Sequence, residues 1–230
     1  MCNFCCTFAT NLWFMTLLFA SNNAHKLAEV RNIMPAGINV MSLNDIGFEQ
    51  EIEENGTTLE ENSKIKAETV CQWLKSSNRQ SSNRQSIDGV FADDTGLEID
   101  ALGGKPGVYT ARWYRLNDGM SAALNDEMMI FAANRKKALT ELAGKEDRGA
   151  QFRTVITLIL FENTDIQVSG IVRGRIAEEE YGQGGFGYDT LFIPEGYDKT
   201  FGELPAEIKN NISHRARALT ELVKLLNRSE

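Results

Sequence analysis

Residues 16–26 read Thr-Leu-Leu-Phe-Ala-Ser-Asn-Asn-Ala-His-Lys, and this stretch decides the fold. Its first five residues form an apolar run that is typical of a buried β-strand. The three polar residues that follow are good helix N-caps, and the next turns place Leu27, Val30 and Met34 on one face of a helix. A buried strand that leads directly into such a helix predicts an α/β protein.

The same alternation of strands and helices continues along the chain. We expect strands at Ile38–Met41, Val90–Ala92, Leu97–Ile99, Phe152–Phe161 and Ile166–Ile176. We expect helices from a capping box at Thr58 and Glu61 to about Leu74, around Ala123–Leu142, and from Ser213 onward. The residues Asp93-Asp94-Thr95-Gly96 are expected to form an acidic turn between two short strands.

The composition is typical of a globular protein and argues against nucleic-acid binding. Of 230 residues, 24 are Lys or Arg and 32 are Asp or Glu, so the formal net charge is −8, which argues against a nucleic-acid polymer as a partner. No Pro/Gly-rich linker divides the chain, so we expect one domain over residues 15–230. Residues 76–86 repeat Ser-Ser-Asn-Arg-Gln twice and then add Ser, and we expect this duplication to form a solvated loop.

The N-terminal segment and the cysteines carry little chemistry. Residues 1–14 are expected to lie outside the fold. Residues 1–20 contain no Lys or Arg and too few consecutive apolar residues for a membrane span, which predicts a cytoplasmic protein with no membrane segment. Four cysteines, at positions 2, 5, 6 and 71, lack the partners of a zinc site and are expected to be reduced thiols.

Several common catalytic patterns are excluded. Gly182, Gly184 and Gly187 match the dinucleotide-binding spacing, but the motif follows an acidic run and precedes a strand rather than a helix. Only His25 and His214 are present, so metal sites built on several histidines are impossible. A serine-type hydrolase triad has little support.

Two segments favour a phosphate ligand and a divalent cation. Residues 21–26 place unpaired N–H groups and Lys26 at a helix N-terminus, where an anion would be stabilised, although a plain capped turn explains them as well. The adjacent carboxylates Asp93 and Asp94 repel each other unless a cation relieves them. Magnesium would suit Asp94 and a second acid from residues 51–54, while exposed acids in a turn are the alternative.

Two further segments favour a flat ligand. Residues 184–189 surround Phe186 with glycine, so an aromatic ligand could lie on this ring, although a glycine-rich hairpin with a core phenylalanine is equally compatible. Lys209, His214 and Arg215 flank the start of the last helix, where fixed donors could meet a carbonyl oxygen or a phosphate. A solvated cationic surface is the competing interpretation.

Taken together, these segments resemble the inosine/xanthosine triphosphate pyrophosphatase family. The resemblance rests on six ordered motifs at residues 19–26, 60–67, 92–97, 104–112, 184–189 and 212–215. It implies an elongated mixed β-sheet flanked by helices, with two lobes, a central cleft and a homodimer. It also implies magnesium-dependent hydrolysis of ITP, dITP and XTP to the monophosphate and pyrophosphate.

The resemblance also implies the site residues. Asp94 and Lys66 would be catalytic, because Asp94 orients or deprotonates the attacking water and Lys66 contacts phosphate. Glu53 and Asp94 would hold magnesium, although the acidic run leaves Glu54 open as the ligand. The substrate would contact Ser21, Asn22, Asn23, Ala24, His25, Lys26, Thr95, Phe186, Gly187, Tyr188, Asp189, Lys209, His214 and Arg215.

Two rival functions remain open at this point. One is a pyrophosphatase for modified pyrimidine or methylated nucleotides with a similar two-lobed fold. The other is a nucleotide-binding module that does not hydrolyse its ligand. The joint presence of Glu53, Asp94 and Lys66 counts against the binding module, because a binder needs no activated water.

Overall fold

The computed structural model describes residues 15–76, 87–116, 124, 126–161 and 164–227. The seven strands among these residues are β1 (Met15–Phe19), β2 (Ile38–Ser42), β3 (Gly89–Ile99), β4 (Lys105–Gly107), β5 (Gly149–Leu160), β6 (Thr164–Ile176) and β7 (Phe192–Pro194). The α-helices are α1 (Ala24–Ile33), α2 (Leu59–Ser76), α3 (Glu127–Glu141), α4 (Ala206–Ile212) and α5 (His214–Leu226).

All seven strands belong to one mixed sheet. The strand order is β2-β1-β3-β5-β6-β7, and β4 pairs with the far end of β3. β1 runs parallel to β2 and β3, whereas β5 and β6 form long antiparallel ladders. The α/β class and the mixed sheet are therefore confirmed, and β3 is the strand that joins the parallel and antiparallel parts.

The acidic turn that the sequence analysis expects is wrong, because β3 continues without a break through residues 93–96. Asp93 pairs with Ile156 of β5, and Asp94 pairs with Val155. Successive side chains of a strand point to opposite faces, so the two carboxylates diverge. Each then meets its own lysine, Lys26 or Lys66, which removes the repulsion that favoured a turn.

The buried apolar side chains form clusters on both faces of the sheet. Phe19 packs with helices α1 and α5 on one face, and its neighbour Leu18 packs with α2 on the other. A third cluster around Phe152 and Phe192 fills the β4–β7 end. The cavity described below takes its strand residues from the central strands β3 and β5.

The helix termini follow the sequence closely in two places. The Thr58 hydroxyl accepts a hydrogen bond from the Glu61 amide at 3.1 Å, which confirms the capping box. Ser213 caps α5 by accepting from the Ala216 amide at 3.2 Å. Helix α3 begins at Glu127, four residues later than expected, and the seven-residue helix α4 is not predicted by the apolar pattern.

Other expectations fall partly or wholly outside the described residues. They concern residues 1–14, nearly all of the duplicated segment 76–86, and the three N-terminal cysteines. Cys71 is a buried free thiol, and burial raises its pKa to about 11. Within the described ranges, none of the helices has the length and apolar character needed to cross a bilayer.

Candidate active site

A cavity of about 170 Å³ lies against the central strands β3 and β5. Residues from α1, α2, β3, α3, β5, α4 and α5 reach it, together with loop residues at Glu54, within 108–112 and within 186–189. The lining includes Asn23, Lys26, Glu54, Lys66, Asp94, Thr95, Phe131, Phe186, Gly187, Tyr188, Asp189, Lys209, His214 and Arg215. Twelve of the candidate residues named from sequence therefore meet in one place.

One end of the cavity is built around the Lys66 ammonium. Lys66 Nζ lies 2.8 Å from Asp94 Oδ1 and 3.3 Å from Glu54 Oε2. Asn62 Nδ2 donates weakly to the other Asp94 oxygen at 3.4 Å. Two carboxylates and one cation thus share a small volume, which is the arrangement needed to place a divalent cation and a polarised water.

Burial and charge act against each other on these groups. Burial raises the pKa of Asp94 above its ordinary value, although Lys66 and Lys26 oppose the shift. Burial tends to lower the pKa of Lys66, but Asp94 and Glu54 outweigh it, so this pKa is raised. Lys66 is therefore held as a cation at neutral pH.

Asp93 belongs to a different set of ion pairs. Its carboxylate accepts from Lys26 Nζ at 2.7 Å and from Arg215 Nε at 2.9 Å. Burial alone would raise the pKa of Asp93, but these two cations hold it well below its usual range. Asp93 is thus fully neutralised by the protein and is not a candidate metal ligand.

The ion pairs continue from Arg215 toward the glycine-rich loop. Arg215, which is 1 % exposed, also pairs with the Glu29 carboxylate. Glu29 accepts from Lys209 Nζ at 2.6 Å, and Lys209 donates to Asp189 Oδ2 at 2.6 Å. We call the six residues from Lys26 through Asp93, Arg215, Glu29 and Lys209 to Asp189 the charge chain. It connects helix α1, strand β3, both C-terminal helices and the loop around Phe186.

The loop around Phe186 is fixed by Asp189. The Phe186 amide donates to Asp189 Oδ2 at 2.7 Å, and Lys209 Nζ lies 4.8 Å from the ring centroid of Phe186. Gly185 has φ +73°, and a Cβ atom there would lie 2.1 Å from Asp189 Oδ2, so only glycine fits. The backbone therefore wraps the carboxylate and presents the Phe186 ring to the cavity.

His214 forms part of the wall near this loop. Its ring stacks on Phe152 at 4.7 Å between centroids, and it is buried. Burial lowers the pKa of His214 well below its ordinary value, with Arg215 and Lys209 adding to the shift, so the imidazole is neutral. Nδ1 is buried and has no hydrogen-bond partner among the residues that the structure describes.

The segment that begins the fold plays a more structural part than the sequence suggests. Asn23 caps α1 by accepting from the Lys26 amide at 2.9 Å, and Ser21 accepts from the Asn23 amide at 3.2 Å. Asn22 accepts from the Asn44 amide at 2.9 Å. His25 stacks on Phe186 at 5.1 Å and lines a neighbouring groove of about 480 Å³ rather than the cavity.

The chain matches the model of the Ham1 family over residues 17–225. It is 43% identical to a dITP/XTP pyrophosphatase of Flavobacterium johnsoniae, covering 92% of this chain and 98% of that one. It is 44% identical to the Bacillus subtilis dITP/XTP pyrophosphatase, covering 91% and 96%. The solved Ham1 protein of Staphylococcus aureus matches at a TM-score of 0.74 and 33% identity, covering 94% and 100%.

The chain belongs to the Ham1 family. The matched range contains the charge chain and all but the terminal residues of β1 and α5, so the resemblance drawn from six motifs is confirmed.

The Ham1 fold in this chain offers two carboxylates to a metal ion. In the part of the chain that the structure describes, no cluster of three or more His, Cys, Asp or Glu side chains could hold one. Asp94 and Glu54 nevertheless converge on the same ammonium. This donor set fits Mg²⁺, which commonly takes one or two carboxylates and completes its shell with substrate phosphates and water. Glu54 lines the cavity, whereas Glu53 is exposed.

Several residues of this Ham1 site are absent from the sequence-based set, and three of them contact its charged or aromatic groups. Glu29 joins Lys209 to Arg215, Asn62 touches Asp94, and Phe131 lines the cavity beside Phe186. Glu29 lies one turn after Lys26 on the face of α1 that meets α4 and α5. Glu29 follows Lys26 by three residues on a predicted helix, and this spacing places both side chains on one face of that helix. That spacing is the only indication of Glu29 that the sequence offers.

Proposed function

We propose that this chain hydrolyses the non-canonical purine nucleoside triphosphates ITP, dITP and XTP to the monophosphate and pyrophosphate. One observation carries the proposal. The Lys66 centre with its two carboxylates and the Phe186–His214 wall lie in a single cavity, so a triphosphate and a purine can be held at once. The relatives named dITP/XTP pyrophosphatase support the substrate class and disfavour the two rival functions.

The carboxylate end would perform the chemistry. Asp94 would orient the attacking water and accept its proton, since a base must lie within hydrogen-bond reach of the reacting group. Lys66, with Lys26 on the other side, would compensate the charge that develops on the phosphate oxygens. Mg²⁺ bound by Asp94 and Glu54 would supply Lewis-acid stabilisation of the pyrophosphate leaving group.

The other end would read the base. The purine would stack on Phe186, and the neutral His214 imidazole, which lines the same cavity, would donate to its 6-keto oxygen. An adenine amino group would meet a donor where it needs an acceptor, so ATP would be discriminated against. Arg215 is held in place by ion pairs with Asp93 and Glu29. It would therefore keep one position, in which it orients His214 and the edge of the bound base.

The charge chain changes what an Arg215 variant can reveal. Replacing Arg215 by alanine would leave the buried carboxylates of Asp93 and Glu29 unpaired, which costs several kcal/mol of stability. A selectivity change in that variant could not be separated from unfolding. His214 and Phe186 are the better positions for probing base selectivity.

The remaining expectations extend this proposal. We propose a single domain over residues 15–230, a homodimer, a cytoplasmic location, and no nucleic-acid polymer as ligand. The acidic composition supports the last of these. The homodimer is testable by light scattering of the purified chain.

The proposal is tested by pyrophosphate release from a panel of nucleotides in the presence of Mg²⁺. We expect ITP, dITP and XTP to be hydrolysed far faster than ATP and modified pyrimidine triphosphates. Asp94→Asn should fold normally and lose about 10²-fold or more in turnover, because a ligand and base is removed without a change of shape. Asp198→Asn is the matched control, since Asp198 is exposed and lies outside the cavity.

A non-hydrolysing binder would retain intact ITP under these conditions. That outcome, or equal rates across the panel, would contradict the proposed function. Normal turnover by Asp94→Asn would remove Asp94 from the mechanism.

A further inference from the structure

Helix α3 presents one apolar ring to the cavity. Phe131 is half-buried and lines the same space as Phe186, Asp94 and His214. Its ring centroid lies 6.2 Å from that of Phe186, with the ring planes tilted by 45°. Aromatic groups interact favourably at such separations in offset or edge-on arrangements.

Phe131 has no part in the hydrophobic core. None of the three clusters of buried apolar side chains formed by the described residues includes it. A half-buried aromatic ring that lines the cavity and lies outside these clusters leaves apolar surface that a ligand can cover. This distinguishes it from Met128 and Met129 on the preceding turn, which are 66% and 60% exposed and do not line the cavity.

The position of Phe131 is fixed relative to Phe186 by the next turn of α3. Arg135 Nη1 donates to the Gly187 carbonyl at 2.9 Å, so the helix is tied to the residue that follows Phe186. Asn134, which is 2% exposed, accepts from the Tyr114 amide at 2.8 Å and donates to the Ala111 carbonyl at 3.0 Å. These bonds hold Phe131 in place before any ligand arrives.

The preceding turn of α3 contacts the segment that begins α1. Glu127 accepts from Asn23 Nδ2 at 3.2 Å, at the start of α1. Glu127, Phe131 and Arg135 are spaced by four, so they lie along one side of α3. This stripe runs from the proposed phosphate end to the loop that carries Phe186.

We propose that Phe131 is a base-binding residue, forming the second aromatic wall against which the purine packs. The inference rests on the proposed function and adds a residue that none of the six motifs contains. The purine lies against Phe186, and Phe131 meets it at an angle near the cavity mouth. The base therefore loses more water-exposed apolar surface than Phe186 alone could cover.

The test compares Phe131→Ala with Met129→Ala as the matched control on the same helix. We expect Phe131→Ala to raise the KM for ITP and the Kd for IMP by about 10-fold, in the range measured for base–aromatic stacking. The kcat should change little. Inhibition by pyrophosphate, which has no base, should be unchanged, and Met129→Ala should match the wild type in every measurement.

Two further variants keep the result interpretable. Phe131→Tyr retains the ring and should bind IMP like the wild type. Phe131→Leu keeps an apolar side chain without the ring, and it replaces the alanine variant if that protein fails to fold.

Two results would overturn the inference. One is unchanged IMP binding in Phe131→Ala. The other is an equal loss of IMP and pyrophosphate binding, which would mean that α3 acts by positioning the start of α1. A wild-type chain that binds IMP but releases no pyrophosphate from ITP would instead contradict the proposed function, because the IMP titration does not depend on turnover.

Discussion

The charges of two neighbouring carboxylates in β3 are compensated to different extents by nearby cations. Asp93 is neutralised by Lys26 and Arg215, whereas Asp94 shares a single lysine with Glu54. The difference arises from strand geometry, because adjacent residues face different sides of a sheet. The carboxylate with incomplete compensation is the one available for a metal ion and a water.

The choice of metal ligand can be decided at the level of single residues. We expect Glu54→Gln to raise the Mg²⁺ concentration required for half-maximal ITP hydrolysis by at least about 10-fold, because a neutral amide replaces an anionic ligand. Glu53→Gln is the matched control and should leave this concentration unchanged, since Glu53 is exposed. The measurement is a magnesium titration of the initial rate.

The reverse result would restore the assignment made from sequence. If Glu53→Gln raised the magnesium requirement and Glu54→Gln did not, the side chain that lines the cavity would not be the ligand.

The sequence predicts site residues where chemistry and motif coincide. Asp94, Lys66 and Phe186 were named because their residue types and neighbours point to a function, and all three line the cavity. The run Glu51-Ile52-Glu53-Glu54 has no such internal reference, so the sequence leaves the choice between Glu53 and Glu54 open, and only Glu54 lines the cavity. Glu29 acts through side chains 180 and 186 positions away, which a local pattern cannot reveal.

At the level of elements, the close approach of α5 to β6 positions His214 and Arg215, the residues of α5 that we propose lie beside the purine. A Cβ atom on Gly170 of β6 would lie 2.2 Å from the His214 carbonyl oxygen and 2.3 Å from the Ala218 amide nitrogen. Both contacts are with backbone, which cannot move aside as a flexible side chain would. Glycine at this position therefore lets the first turn of α5, with His214 and Arg215, sit directly on the sheet.

We expect Gly170→Ala to push the start of α5 away from β6. The clash should lower the free energy of unfolding by about 1–3 kcal/mol or more and reduce ITP turnover strongly. Thermal unfolding and pyrophosphate release measure the two effects. Ser169→Ala is the control, because Ser169 is exposed on the same strand.

A Gly170→Ala protein with normal stability and turnover would contradict this view of the helix–sheet contact. It would mean that α5 can shift without disturbing the cavity.

Element prediction succeeded where apolar runs were long. β5 and β6 were expected within a few residues of their observed bounds, as was α5 with its Ser213 cap. β3 was divided in two because Asp-Asp-Thr-Gly has the composition of a turn, and the lysines that stabilise it as a strand come from α1 and α2. The seven residues of α4 are too few to show a helical period.

At the scale of the whole molecule, one buried imidazole links stability to pH. Burial lowers the pKa of His214 well below its ordinary 6.5, aided by Arg215 and Lys209. When pH falls below 6.5 the unfolded chain takes up a proton at this residue and the folded chain does not. The unfolded state then binds more protons, so the free energy of unfolding decreases as pH falls.

We expect this contribution to be fully present above pH 6.5 and to decline below it, by up to about 1.4 kcal/mol per pH unit. Urea unfolding at pH 7.5 and pH 5.5 measures the decline. His214→Gln should reduce it, whereas His25→Gln, which alters an exposed histidine, should not. An unchanged decline in His214→Gln would show that other groups cause it.

The charge chain has a consequence for how the substrate arrives. Its three cations and three carboxylates cancel, and the Lys66 centre adds one cation to two carboxylates. A nucleoside triphosphate that arrives without a bound cation therefore meets no net positive charge in these two groups of residues. We expect the nucleotide to enter already complexed with its divalent counter-ion, so that free nucleotide would be a poor ligand and the metal–nucleotide complex the true substrate.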